Sequence, residues 1–238
     1  NYTLSCDNTV GRKVTLNSGL TATTSLLSND SDKGLVIHVE TSLQVRAPHR
    51  WSPDKPYVYT LVVSLRRGGP ARDVVQAESC RVGFRTIQII GGLLRLDRTP
   101  VMIKGTNLHE HDPVLGHTVP KALIQADLTL MKRHNFNAVR TSHYPHSPWF
   151  YELCTLYGLF VVDETNIETH GMKPYAGRLA DDRDWDNAFM SRMTRMYERD
   201  KTHASVIGWS LGNEAGYGCV HDQMAAWIRE ADQSRVLF

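Results

Sequence analysis

From about Gly91 onward the chain repeats one unit, a short apolar run followed by an amphipathic stretch of helical period. That alternation constrains the fold more than any other feature. A strand, a crossover helix and a second strand return the chain parallel to its start, so the repeat builds a parallel sheet covered by helices. The pattern predicts strands at residues 101–105, 136–140, 159–163 and 206–210. Helices are predicted near 121–135, with Ile124, Leu128 and Met131 on one face, and at 148–157. Two more follow, around 186–200, with Phe189, Met193 and Met196 at i, i+4 and i+7, and at 221–231. Residues 235–238 read as the start of a further buried strand.

Each predicted strand runs into ionisable residues. Asn107, His109, Glu110 and His111 follow the first, and Arg140, Ser142 and His143 end the second. Asp163, Glu164, Asn166, Glu168 and His170 follow the third, and Asn213 and Glu214 the fourth. Catalytic groups gather at the carboxyl ends of the strands in a TIM (β/α)8 barrel, which takes ~250 residues. Residues 89–238 are therefore read as the first half of such a barrel, strands one to four. An open doubly wound sheet places ligands at the same end and is the rival fold.

The first 88 residues follow a different grammar, with short Val-, Leu-, Thr- and Tyr-rich runs broken by Gly, Pro, Asn and Asp. Residues 34–40 form one run. Tyr57, Tyr59, Leu61, Val63 and Leu65 alternate along another, which a turn at 67–70 closes. A small immunoglobulin-like β-sandwich over 1–88 is the economical reading, and both ends of the chain read as cut. A hydrophobic content of 41% and a charged content of 22% in 238 residues suit a globular protein. A net charge of +2 with no basic run argues against a nucleic-acid partner, and no apolar stretch reaches membrane-spanning length. Asn1-Tyr2-Thr3 does not open a signal peptide, and Cys6, Cys80, Cys154 and Cys219 are too scattered for a disulfide framework. They read as reduced thiols of a cytoplasmic protein.

Asn213-Glu214, just past an apolar strand, is the sharpest chemical signal. Partial burial there would raise the proton affinity of a general acid, and the amide could hold a sugar hydroxyl. The plainer alternative is a solvated loop carboxylate capping the next helix. Glu168 and His170 point the same way if their segment is extended, and with Glu214 they make a mixed oxygen and nitrogen site suited to Mg²⁺ or Mn²⁺. A hydrogen-bonded polar loop is the alternative. His109-Glu110-His111 lacks the spacing of a zinc helix. Instead, His109 and His111 are expected to face a pocket or its edge while Glu110 braces the other side. Arg140 reads either as a substrate contact or as half of an ion pair with Glu110 or Asp163. Trp51 and Trp149 are read as core or interface residues in preference to sugar platforms.

These blocks, in order, resemble one family. Residues 107–112 (NLHEHD), 140–145 (RTSHYP), 163–171 (DETNIETHG) and 210–214 (SLGNE) closely resemble the catalytic barrel of the β-galactosidases of glycoside hydrolase family two. The likeness runs from about Cys80 to the end. Upstream, Trp51-Ser52-Pro53 and Pro56-Tyr57-Val58-Tyr59 look like the immunoglobulin-like domain that precedes that barrel. The resemblance implies that Glu214 is the acid/base of a retaining double displacement on terminal β-galactosides, with Asn213 beside it. It implies Glu168, His170 and Glu214 as Mg²⁺ ligands, and His109 and His143 as galactose-facing groups. A Na⁺ ion, with ligands outside this chain, and a homo-oligomer of the full-length protein belong to the same picture. The Glu168/His170 pair favours a galactosidase over the related β-glucuronidases and β-mannosidases. Those, and a non-catalytic carbohydrate-binding fragment, are the alternatives. The nucleophilic Glu is expected beyond Phe238, so the chain alone is expected to be inactive. Gly208 stands where a β-branched residue is usual, and is expected to soften the fourth strand.

Overall fold

A computed structural model describes residues 2–6, 23–26, 37–40, 45–66, 74–172 and 179–238. The chain divides into two compact units, one of residues 1–49 and 59–80, the other of residues 50–58 and 81–238.

The first unit is β structure. β1 (Tyr2–Cys6) pairs antiparallel with β4 (Tyr59–Arg66), Tyr2 lying opposite Val63 and Cys6 opposite Tyr59. β5 (Val74–Val82) lies on the other side of β4. β2 (Thr23–Leu26) and β3 (Ile37–Glu40) form a separate antiparallel pair. The strand predicted at 57–65 begins two residues later. Its alternation does not mark one buried face, since Tyr59 is buried while Val63 is exposed. Residues 34–36 and the turn at 67–70 lie outside the described residues.

The second unit opens with a small antiparallel sheet of β6 (Ile87–Ile90), β7 (Leu93–Leu96) and β8 (Thr99–Pro100). Five parallel strands follow: β9 (Gly105–Leu108), β10 (Ala138–Thr141), β11 (Phe160–Glu164), β12 (Val206–Ser210) and β13 (Val236–Leu237). Each lies beside its predecessor, in the order expected of consecutive barrel strands. Helices α1 (Lys121–Arg133), α2 (Pro148–Tyr157), α3 (Asp186–Asp200) and α4 (Cys219–Ala231) connect them. This is the opening part of a (β/α)8 barrel, carrying five strands rather than four, because residues 236 and 237 already pair with Gly208 and Trp209.

The first barrel strand is displaced from its predicted place. Val101–Lys104 is apolar enough to resemble a strand, yet Met102 and Ile103 are exposed, and the ladder starts at Gly105. The helices match their pattern closely. Pro148 occupies the first turn of α2, where its missing N–H costs nothing, and Gly158 ends the helix at φ +75°. A Cβ on Gly158 would also lie 2.2 Å from the Pro53 carbonyl oxygen, so this position needs glycine for space as well as conformation.

Leu128, Phe150, Leu159, Val161, Phe189, Met193, Trp209 and Met224 fill the layer between sheet and helices. Fully burying such a side chain is worth roughly 1.5–3 kcal/mol. Trp51 is completely buried, its indole N–H donating to the Thr155 carbonyl at 2.8 Å, so it is core. Trp149 is half-exposed beneath the Lys121 ammonium, 3.6 Å from the ring centroid. Gly208 answers to space rather than softness, since a Cβ there would sit 3.0 Å from Val236 Cγ2 on the next strand. Cys80, Cys154 and Cys219 are free thiols, and among the described residues no helix is long and apolar enough to cross a membrane.

Candidate active site

Side chains on a strand alternate between faces, so the register of the parallel sheet decides which ionisable residues can meet. Arg140 stands level with Val162, and Glu164 with Ser210. Residues 162 and 164 share a face of β11, and Asp163 takes the other. Asp163 therefore points into the helix layer, where the Tyr151 hydroxyl donates to Oδ1 at 2.6 Å and Thr141 Oγ1 lies 3.3 Å away. Burial and the nearby Asp200 charge push its carboxyl well above the usual carboxylate range. It supports the packing and does not pair with Arg140. Nor does Glu110, whose Oε2 accepts from the Ser147 backbone N–H at 2.8 Å.

The partner of Arg140 is Glu164, not the Glu110 or Asp163 offered from the sequence. Its side chain is 0% exposed, and four donors surround its carboxylate. Arg140 Nε and Nη2 each reach Oε2 at 2.7 Å, and Ser210 Oγ donates to the same oxygen at 2.7 Å. His143 Nδ1 lies 2.7 Å from Oε1. Arg140 Nη2 also donates to Asn213 Oδ1 at 2.9 Å. Charge-assisted bonds of this length are among the stronger ones in proteins, and they fix the ends of β10, β11 and β12 to one another. The signal for Glu164 lay in the parity of the strand, legible once the register with Arg140 is known.

His143 and His109 stand edge to face, ring centroids 5.2 Å apart. Tyr144 extends this aromatic rim, its hydroxyl lying 3.5 Å from Nδ1 of both His109 and His117. His117, absent from the sequence-based candidates, packs edge-on against His111 at 5.4 Å. Beside the rim, Asn107, Arg140, Val139 and Val162 line an open hollow of about 470 Å³ on the inner face of the sheet.

Asn213 and Glu214 leave β12 on a constrained loop. A Cβ on Gly212, at φ +139°, would lie 2.7 Å from the Ile167 carbonyl oxygen. Glu168 bridges in parallel to Asn213, and the Asn213 N–H donates to Ile167 O at 2.8 Å. Glu214 itself holds φ +46°, a conformation that costs a non-glycine residue energy and recurs at functional sites. Its Oε2 lies 2.5 Å from His170 Nδ1. The condition that residues 168–170 be extended is met at Glu168, which bridges to Asn213, but ends at His170, where a 3₁₀ turn begins. Two of the three expected metal ligands, His170 and Glu214, thus meet. Glu168 is held alongside through its backbone, and among the described residues no three His, Cys, Asp or Glu side chains gather as a complete metal site. The partial burial expected of Glu214 is also missing, since its side chain is 55% exposed.

Comparisons with known proteins bear on the family and the fold. The family model for the TIM barrel domain of glycosyl hydrolases family 2 matches residues 87–238, and a second model, glycosyl hydrolases family 2, matches residues 2–85. A β-galactosidase from Aeromonas hydrophila is 53% identical over 198 residues, 82% of this chain. The alignment spans 19% of that relative's length, so this chain corresponds to about a fifth of the curated relatives it matches. A β-glycosidase structure from Bacteroides vulgatus superposes with a TM-score of 0.75 at 27% identity, covering 99% of this chain and 28% of that one. A β-glucuronidase structure from Ruminococcus gnavus gives a TM-score of 0.72 at 26% identity, covering 100% of this chain and 42% of that one. With an immunoglobulin-like part matched over residues 2–85 and the start of the TIM barrel over 87–238, the chain belongs to glycosyl hydrolases family 2.

Proposed function

We propose that the protein carrying this chain is a retaining β-galactosidase, and that these residues supply its acid/base side. The observation that carries the reading is the loop after β12. Glu214 is held in a costly backbone conformation beside Asn213, whose amide oxygen is bound by Arg140. The relatives at about 50% identity named β-galactosidase support the choice of substrate.

In this reading a carboxylate from outside these 238 residues attacks the anomeric carbon while the glycosidic C–O bond breaks. Glu214 gives its proton to the departing oxygen. It then takes a proton from the water that attacks the glycosyl–enzyme ester, releasing galactose and restoring both carboxyl groups. His109 and His143, together with Asn213, bind the sugar. The two carboxylates of Glu168 and Glu214 fit a hard cation such as Mg²⁺ in kind, and the contact of His170 with Glu214 brings two of the three donors to one point. Glu168, His170 and Glu214 would hold Mg²⁺, which when bound supplies positive charge beside the acid/base. Lactose-type substrates, a cytoplasmic setting and a homo-oligomer complete the proposal.

A β-glucuronidase is the second reading, favoured by the structural neighbour of that name. It needs a cation free to meet the substrate carboxylate, and Arg140 is already committed to Glu164 and Asn213. The test is to assay the full-length protein on aryl β-galactoside and aryl β-glucuronide, with Mg²⁺ and with chelator. Turnover of the galactoside that falls on chelation is expected. Turnover of the glucuronide alone would replace the first reading with the second.

A further inference from the structure

Glu164 makes no contact with solvent, so it cannot touch a substrate, yet of the three groups proposed to bind the sugar its carboxylate contacts His143 directly and Asn213 through Arg140. Oε1 faces His143 Nδ1, and Oε2 takes Arg140 and Ser210. A carboxylate paired with a guanidinium can only accept, so the proton between Glu164 and His143 resides on Nδ1. The ring is thereby oriented with Nε2 on the side away from Glu164. Arginine has no acceptor either, so its 2.9 Å bond to Asn213 fixes the amide with the oxygen inward and the N–H₂ on the other side. Neither assignment follows from Asn213 or His143 alone, because a free amide can flip and a free imidazole can exchange tautomers.

We propose that Glu164 is a positioning residue which, through Arg140 and His143, sets the hydrogen-bond polarity of the sugar-facing edge. Asn213 is held as an N–H donor to a sugar oxygen, and His143 with its Nε2 edge toward a sugar hydroxyl. The proposal rests on the glycosidase reading above and deepens it. It also explains why one carboxylate joins three consecutive strand ends. Moving any one of β10, β11 or β12 would disturb both substrate-facing groups together.

The test is a set of double-mutant cycles in the full-length protein, measured on whichever aryl β-glycoside the wild type hydrolyses. Glu164→Gln keeps the shape but offers an N–H₂ group where donors already converge. Losses from such supporting groups are typically ~10–100-fold, and here they should fall mainly on kcat rather than KM. In an Asn213→Ala or His143→Ala background the same change should cost several-fold less, because its route is already cut. Should Glu164→Gln fail to fold, Glu164→Asp is read in the same cycles, since it keeps the charge and withdraws it by one methylene. Losses that simply multiply in both backgrounds, or a loss confined to thermal stability, would overturn the positioning role. A wild type that cleaves another aryl β-glycoside instead of the galactoside would sink the substrate assignment alone, and the cycles would still decide on Glu164.

Discussion

Adjacent acids on β11 have opposite lives. Asp163 is turned into the helix layer, where burial raises its proton affinity, and Glu164 is turned to the strand ends, where four donors surround its carboxylate. Glu214 differs from both in being exposed, conformationally strained and in contact with His170, and the acid/base role proposed above falls to it. Glu214→Gln in the full-length protein should therefore slow poor leaving groups far more than activated aryl galactosides, since a general acid matters most where the departing oxygen is most basic. The expected loss on poor leaving groups is ~10²–10⁴-fold. Equal losses on both classes, measured as kcat/KM, would reassign Glu214 as nucleophile or scaffold. The identities of Glu214, Asn213, Arg140 and His143 were legible in the motifs. The pairing of Arg140 with Glu164 was not, because a motif gives neighbours in sequence while pairing follows from register across strands.

At the scale of elements, the helices were the legible part. Pro148 and Gly158 punctuate α2 at its predicted ends, and the Phe189, Met193 and Met196 stripe of α3 is buried. β9 was less so, because its Gly-Thr-Asn-Leu sequence is polar and the apolar residues before it stay in the open. The segment linking β10 to α2 carries a pH liability. His146 is buried against Phe150, ring centroids 4.7 Å apart, and desolvation pulls its pKa down to about 4, with the Leu108 carbonyl opposing the shift. The folded state therefore binds this proton less readily than the unfolded chain. The resulting stability is present above the ordinary histidine value near 6.5 and is lost as pH falls from there toward 4, a swing of about 3 kcal/mol. Thermal unfolding of the full-length protein at pH 7 and pH 4.5 should show this loss, and His146→Gln should flatten it. An unchanged slope in the variant would place the acid sensitivity elsewhere.

For the whole molecule, the chain alone is expected not to hydrolyse β-galactosides. A retaining site needs two carboxyls roughly 5–5.5 Å apart. Beside Glu214, the described strand ends offer Glu164, enclosed by its donors, Asp163, turned away, Glu110, bound to the Ser147 N–H, and Glu168, given to the metal in the proposal above. Sustained turnover of an activated aryl galactoside by the 238 residues, abolished by Glu214→Ala, would show that a second carboxylate here acts as nucleophile. The path of the chain has a different kind of consequence. It enters the barrel unit first at 50–58, leaves for 59–80, and returns at 81. The first visit lays Trp51 on the Thr155 carbonyl and gives the Pro53 carbonyl to Lys132 Nζ at 3.0 Å; the second sets Arg85 Nε on the Ala204 carbonyl at 2.7 Å. A single junction near residue 88 would therefore separate stretches that pack on each other. A hybrid joined there would inherit its Trp51 tongue from one parent and the socket from the other, so the two stretches should pass between lineages as a linked pair.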